Sequence, residues 1–114
     1  MLSIKNNIIY LGDKKDGKFI KLEDVRVIRA YMRGVKIITA DIDVSCSLTL
    51  TSIKQAMDNP DFFEVCRGCL VNISYIEMIK GDYLVLKNIT ENIHISRRRK
   101  RELLKWIQTG RVVQ

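Results

Sequence analysis

Apolar residues along the first 95 positions come in short clusters separated by turn-forming residues, not at the three-to-four spacing of a long helix. The clusters Ile8 to Leu11, Lys18 to Leu22, Val25 to Tyr31, Val35 to Thr39 and Val44 to Leu50 are rich in Ile, Val, Leu or aromatics. So are Phe63 to Val65, Cys69 to Ile73, Ile76 to Ile79, Tyr83 to Lys87 and Asn92 to Ile95. Branched and aromatic side chains fit a pleated surface, so each cluster predicts a strand. Between them lie Asp16-Gly17, Arg33-Gly34, Asp41 to Asp43, Asn59-Pro60, Gly81-Asp82 and Asn88, residues that tolerate turn geometry. In VSCSLTL, Val44, Cys46, Leu48 and Leu50 alternate with Ser45, Ser47 and Thr49, which predicts a half-buried strand over 44–50.

Two helices are expected. The first runs from about Ser52 to Asp58, capped by Thr51 or Ser52 and stopped by Asn59-Pro60. The second follows Ser96 and runs to about Thr109, with Gly110 at its C-terminal cap and Leu103, Leu104, Trp106 and Ile107 on its apolar side. A helix-turn-helix needs two helices joined by a short turn. These are separated by about forty residues, so that plan is excluded.

At 114 residues the chain is one domain, long enough to hide about two thirds of its unfolded surface. Its 46% hydrophobic and 29% charged residues are those of an ordinary globular domain. No apolar run approaches the roughly 18 to 20 residues that cross a bilayer, and residues 1–12 lack a signal-peptide pattern. A cytoplasmic protein without membrane insertion is expected. Three cysteines, Cys46, Cys66 and Cys69, are an odd number with no export signal, which argues for reduced thiols.

The net charge of +7 is concentrated. From Ser96 to the end, seven basic residues stand against one acid, Glu102, whereas 13 basic and 12 acidic residues nearly cancel before it. Arg97, Arg98, Arg99, Lys100 and Arg101 crowd the first turn and a half of the second helix, where the helix dipole favours negative charge. A charged solvated face is the ordinary explanation of such a run. Its single sign, and the free N–H groups of a helix start, point instead to phosphate.

The block FFEVCRGCLVNISYIEMIKGDYLVLKNITENIHISRRRKRELLKWI, residues 62–107, resembles the LytTR (LytR/AlgR-type) DNA-binding domain of bacterial transcription regulators. The matching elements are Phe63, Cys66-Arg67-Gly68, Leu70-Val71-Asn72, the apolar hairpin Ile76 to Leu86, and Ser96-Arg97-Arg98. Upstream, DVRVIRAYMRGVKIIT resembles the family's first hairpin and SLTLTSIKQAM its short helix, extending the likeness over about residues 18–109.

The resemblance implies a mainly β fold: small antiparallel sheets packed side by side, with two short helices. It implies sequence-specific binding of double-stranded DNA by a response-regulator-like transcription regulator, through loops in successive major grooves. It further implies two copies on direct repeats in a promoter, with weak or no dimer in free solution.

By the same resemblance Arg33, Arg67 and Arg98 face bases, and the planar guanidinium suits guanine. Lys36, Arg97, Arg99, Lys100 and Arg101 are candidates for phosphate. Asn72 and Ser96 are expected to act structurally near the site. Cys66 stands where the family usually has His, and Gly68 where it often has Ser, so two polar groups are missing. The family's domain usually follows a receiver or a membrane segment, whereas Met1 lies a few residues before this one. Either a stand-alone regulator or an excised domain fits. Some stand-alone relatives are restrained by a membrane inhibitor protein, a partner for which this sequence itself offers no support.

Other chemistry has less to stand on. Zinc would need Cys46, Cys66, Cys69 and His94, without a second close pair. A thioredoxin-like dithiol needs its first Cys at a helix N-terminus, whereas Arg67-Gly68 leads into a strand. A redox-sensing thiol at Cys66 or Cys69 stays open, since Arg67 would favour a thiolate, which leaves a thiol-modulated regulator as an alternative. No phosphate loop or clustered carboxylates suggest an enzyme, and no cofactor is implied. The remaining alternative is a basic β-rich module for protein or RNA. Single-stranded RNA readers expose aromatics for stacking, but Phe19, Tyr31, Phe62, Phe63 and Tyr83 stand mostly in apolar contexts.

Overall fold

The computed structural model describes residues 2–57 and 59–110, so Asp58 and Arg111 lie outside it. Eleven strands form three antiparallel sheets among the described residues. The first sheet contains β1 (Leu2–Lys5), β2 (Ile8–Gly12) and β3 (Gly17–Lys21) in sequential order. The central sheet is built from β4 (Val25–Tyr31), β5 (Gly34–Thr39), β6 (Asp43–Cys46), β7 (Phe62–Cys66) and β8 (Cys69–Asn72), in the order β6-β5-β4-β8-β7. Helix α1 (Leu50–Ala56) lies between β6 and β7 in the chain. The third sheet holds β9 (Ile76–Lys80), β10 (Tyr83–Leu86) and the short β11 (Ile93–His94), and α2 (Arg97–Gln108) follows.

The central strands VRVIRAY, GVKIIT and CLVN are apolar on both faces because both faces are covered. Alternation assigns each residue a side. Ile28, Val35, Ile37 and Leu70 join Ile9 and Ile20 of the first sheet and Ile53 of α1. Val27, Ile38, Cys69 and Val71 join Leu84, Leu86 and Ile93 of the third sheet and Leu103 of α2. The pairings Ile28↔Ile37, Ile28↔Leu70 and Val27↔Val71 set this register. A one-residue slip would exchange the two cores, so the register is strongly specified. Three sheets side by side give an elongated body of 53 × 28 × 25 Å.

The mainly β fold, with small sheets side by side and two helices, is as expected. On α2 only Leu103 of the expected apolar side is buried, while Leu104, Trp106 and Ile107 are exposed, because the helix rests on the edge strand β7 with one narrow face. Three further details differ. Strand β1 was not anticipated; Leu2 and Ile4 turn back onto β2 through Asn6 and Asn7, both at positive φ, a conformation asparagine tolerates well in tight hairpins. The strand predicted over 44–50 stops hydrogen bonding at Cys46, although half-burial continues at Leu48 and Leu50. Thr49, not Thr51 or Ser52, caps α1 by accepting the Ser52 N–H at 3.1 Å. The helix therefore starts earlier than predicted.

The aromatic residues also depart from expectation: Phe19 is 73% exposed, and Tyr31 and Tyr83 are exposed as well. They sit on three different sheets, so they do not form one stacking platform.

Candidate nucleic-acid interface

Strand pairing sets the geometry of one end of the central sheet. Arg29 on β4 opposes Cys69 on β8, and the Ala30 N–H donates to the Gly68 carbonyl at 2.8 Å. The turn from β4 to β5, carrying Arg33, and the turn from β7 to β8, carrying Arg67, therefore project from the same end. Two strand spacings separate them, about 10 Å. The β4–β5 turn holds Met32 at φ 54. Gly34, which follows it, is required by space: a Cβ there would lie 1.9 Å from the Cys46 carbonyl oxygen of β6.

Beyond β7, at the outer edge of the sheet, stands the start of α2. The Ser96 N–H donates to the Val65 carbonyl at 2.9 Å, two residues before Arg67. The Ser96 hydroxyl accepts the Arg99 N–H and caps the helix. Across this end of the central sheet the order is thus Arg33, Arg67, then Arg97 and Arg98.

The five cations of α2 fall into two groups. Arg99 is half-buried and clamped, donating to Glu64 of β7 at 3.0 Å and to Glu102 at 3.0 Å. Lys100 donates to the Gly81 carbonyl of the β9–β10 turn at 2.7 Å. Arg97, Arg98 and Arg101 are exposed, and Arg98 makes only a long contact of 3.8 Å with Glu102. Arg33 and Arg67 are exposed too, and among the described residues they make no salt bridge, nor do Arg97 and Arg101. Lys36 lies 3.6 Å from Asp43 and 5.0 Å from the centre of the Tyr31 ring.

Beside Arg67 is a shallow cleft of about 340 Å³, lined by Arg29, Cys66, Cys69, Asn92 and His94 among others. Arg29 of its lining pairs with Glu91 at 2.9 Å. His94 packs edge-on against Tyr83 with ring centres 5.9 Å apart. Burial pushes the Cys69 thiol up to about 12, with Cys66 adding to the rise and the Arg29 cation opposing it. All three cysteines are free, and no group of three or more His, Cys, Asp or Glu could hold a metal ion among the described residues.

Asn72 is buried, away from the arginine row. Its amide donates to the Val25 carbonyl and its oxygen accepts the Ser74 N–H, both at 3.0 Å. It thereby ties the end of β8 to the start of β4. Sequence reasoning missed Glu64, which sorts the basic run by drawing in Arg99. It also missed Arg29 and Glu91, whose separation in the chain left no local signal. For Glu64 there was a hint: it is the one charge in the otherwise apolar FFEVC.

A family model described as the LytTr DNA-binding domain matches residues 15–108. Among solved structures, this fold is similar to the LytTr DNA-binding domain of a Bacillus cereus protein described as a methyl-accepting/DNA response regulator. The TM-score is 0.75 at 15% identity, over 90% of this chain and 98% of that one. No curated protein matches the sequence.

Proposed function

The chain belongs to the LytTr DNA-binding domain family, and on that premise we propose that it binds specific sequences in duplex DNA as a bacterial transcription regulator of the cytoplasm. The family is one of DNA-binding domains rather than enzymes. No helix among the described residues is long and apolar enough to cross a membrane.

The observation that carries the proposal is the row of arginines at one end of the central sheet, projecting from two turns and one helix start. In this reading Arg33, Arg67 and Arg98 meet base edges, and each bidentate pair with guanine contributes about 1–3 kcal/mol of discrimination. Arg97, Arg101 and Lys36 meet phosphates. Arg99 and Lys100, with their charged ends already engaged by Glu64, Glu102 and Gly81, hold α2 in place. Each phosphate neutralised adds about 0.9 to the salt slope of binding.

The loops would enter successive major grooves. In this reading Arg33 and Arg98 stand at the two ends of the row, with Arg67 between them. Two copies would occupy a direct repeat, meeting only on DNA.

Selection from a random duplex pool tests this. A repeated motif should be enriched, with affinity falling steeply as salt rises. Recovery of unrelated sequences at every round would contradict specific binding.

A further inference from the structure

We propose that Cys66 and Cys69 form a reversible disulfide across the Arg67-Gly68 turn, and that this cross-link weakens DNA binding; the DNA effect rests on the function proposed above. The two cysteines are register partners on β7 and β8, separated by a two-residue turn. Directly opposed residues in an antiparallel pair have Cα atoms about 4.5–5.5 Å apart, inside the range of roughly 4.4–6.8 Å that a disulfide spans. Both side chains lie on the face turned toward the third sheet. The strand shifts register between Glu64 and Cys66, so β7 already carries an irregularity that can absorb the small adjustment cross-linking needs.

Cys46 cannot compete for either partner. It belongs to β6, at the opposite edge of the five-stranded sheet from β7, which is about 19 Å away at the usual strand spacing.

Access differs between the two thiols in a way that orders the chemistry. Both line the cleft beside Arg67, but Cys66 is half-buried whereas Cys69 is buried. A peroxide is the oxidant. The Cys66 thiolate attacks one peroxide oxygen, the O–O bond breaks, and Cys66 becomes a sulfenic acid with release of hydroxide, which is protonated to water. The Cys69 sulfur then attacks the Cys66 sulfur, the S–O bond breaks, and the Cys69 proton leaves with the hydroxide as a second water. Two thiols have lost two electrons to one peroxide. A dithiol reverses the step by exchange.

The consequence falls on the residue between them. Gly68 sits at φ +82 and its carbonyl accepts the Ala30 N–H at 2.8 Å, so the turn is tied to β4. Fixing Cys66 to Cys69 sets a new torsion at the base of a two-residue loop and redirects Arg67. Loss of one base contact corresponds to about a tenfold loss of affinity.

The test uses the full chain carrying Cys46→Ser, treated with hydrogen peroxide, then alkylated and weighed. Expected is the disappearance of both free thiols with a mass lower by two hydrogens, recovery with dithiothreitol, and no such species in Cys66→Ser or Cys69→Ser. The oxidised form should bind a selected duplex about tenfold more weakly than the reduced form. Thiols that both remain alkylatable, oxidation that stops at sulfinic acid, or a complete disulfide with unchanged DNA affinity would each overturn the proposal. A reduced protein that binds no duplex would count against the assigned function and the DNA effect, while the thiol count decides the cross-link on its own.

Discussion

Replacing Arg99 by Ala separates anchoring from phosphate binding within a single run of cations. Its guanidinium donates to Glu64 and Glu102, both at 3.0 Å, with the side chains of Arg99 and Glu64 only 28% and 21% exposed. A fully exposed pair contributes about 0.2–1 kcal/mol, and charge-assisted hydrogen bonds about 1.5–3 kcal/mol. Glu64 keeps Lys54 at 3.3 Å as a second partner, which limits the loss. The expected destabilisation is about 1–2 kcal/mol, or a fall in Tm of about 4–8 °C for a domain of this size. DNA binding by the folded variant should keep its salt slope nearly unchanged. Arg97→Ala, with an exposed side chain free of protein partners among the described residues, should do the reverse. Its stability should stay within about 0.5 kcal/mol of the parent, while its salt slope falls by about 0.9. Urea unfolding and fluorescence anisotropy at several salt concentrations measure both quantities. If Arg99→Ala lowered the slope as Arg97→Ala does and left stability intact, the division of the run into anchors and contacts would be wrong.

Three further outcomes follow from packing and burial. Gly34→Ala would drive a methyl group into the Cys46 carbonyl and should cost more than about 2 kcal/mol in thermal unfolding, since backbone cannot yield as a side chain does. Asn72→Leu leaves the buried Val25 carbonyl and the Ser74 N–H without their partners; a loss of about 2–4 kcal/mol is expected in urea, at roughly 1–3 kcal/mol for each group orphaned. Stability should also decline in alkali because the Cys69 thiol is pushed from 9.0 up to about 12 by burial. Its neutral form is favoured in the fold, so its contribution is fully present below pH 9 and is lost as the pH rises toward 12. The slope is about 1.4 kcal/mol per pH unit for this one proton, and Cys69→Ala should flatten that part of the curve.

Much of the fold was legible because both faces of the central sheet are buried. Runs such as VRVIRAY and GVKIIT announce strands without needing alternation, and Gly, Asn and Pro mark most of their ends. Strand β1 escaped because Asn6-Asn7 is a less familiar turn signal than Asp-Gly. Residues 47–50 were misread because a capping Thr follows an alternating segment, and alternation in burial outlasts the hydrogen bonding. At the candidate interface, the turns carrying Arg33 and Arg67 could be found from sequence, but not that they share one end of a sheet. That depends on β4 pairing with β8, a long-range contact. The basic run looked uniform in sequence. Only the position of Glu64 on the neighbouring strand distinguishes Arg99 from Arg97.

The central claim is that arginines projecting from turns read DNA sequence. Affinities of the parent, Arg67→Ala and Lys100→Ala for a selected duplex and for a scrambled one, at a single salt concentration, test it most directly. The account predicts that Arg67→Ala lowers the ratio of specific to scrambled affinity by about tenfold, while Lys100→Ala leaves that ratio nearly unchanged. Equal losses on both duplexes for Arg67→Ala, or no loss on either, would contradict it.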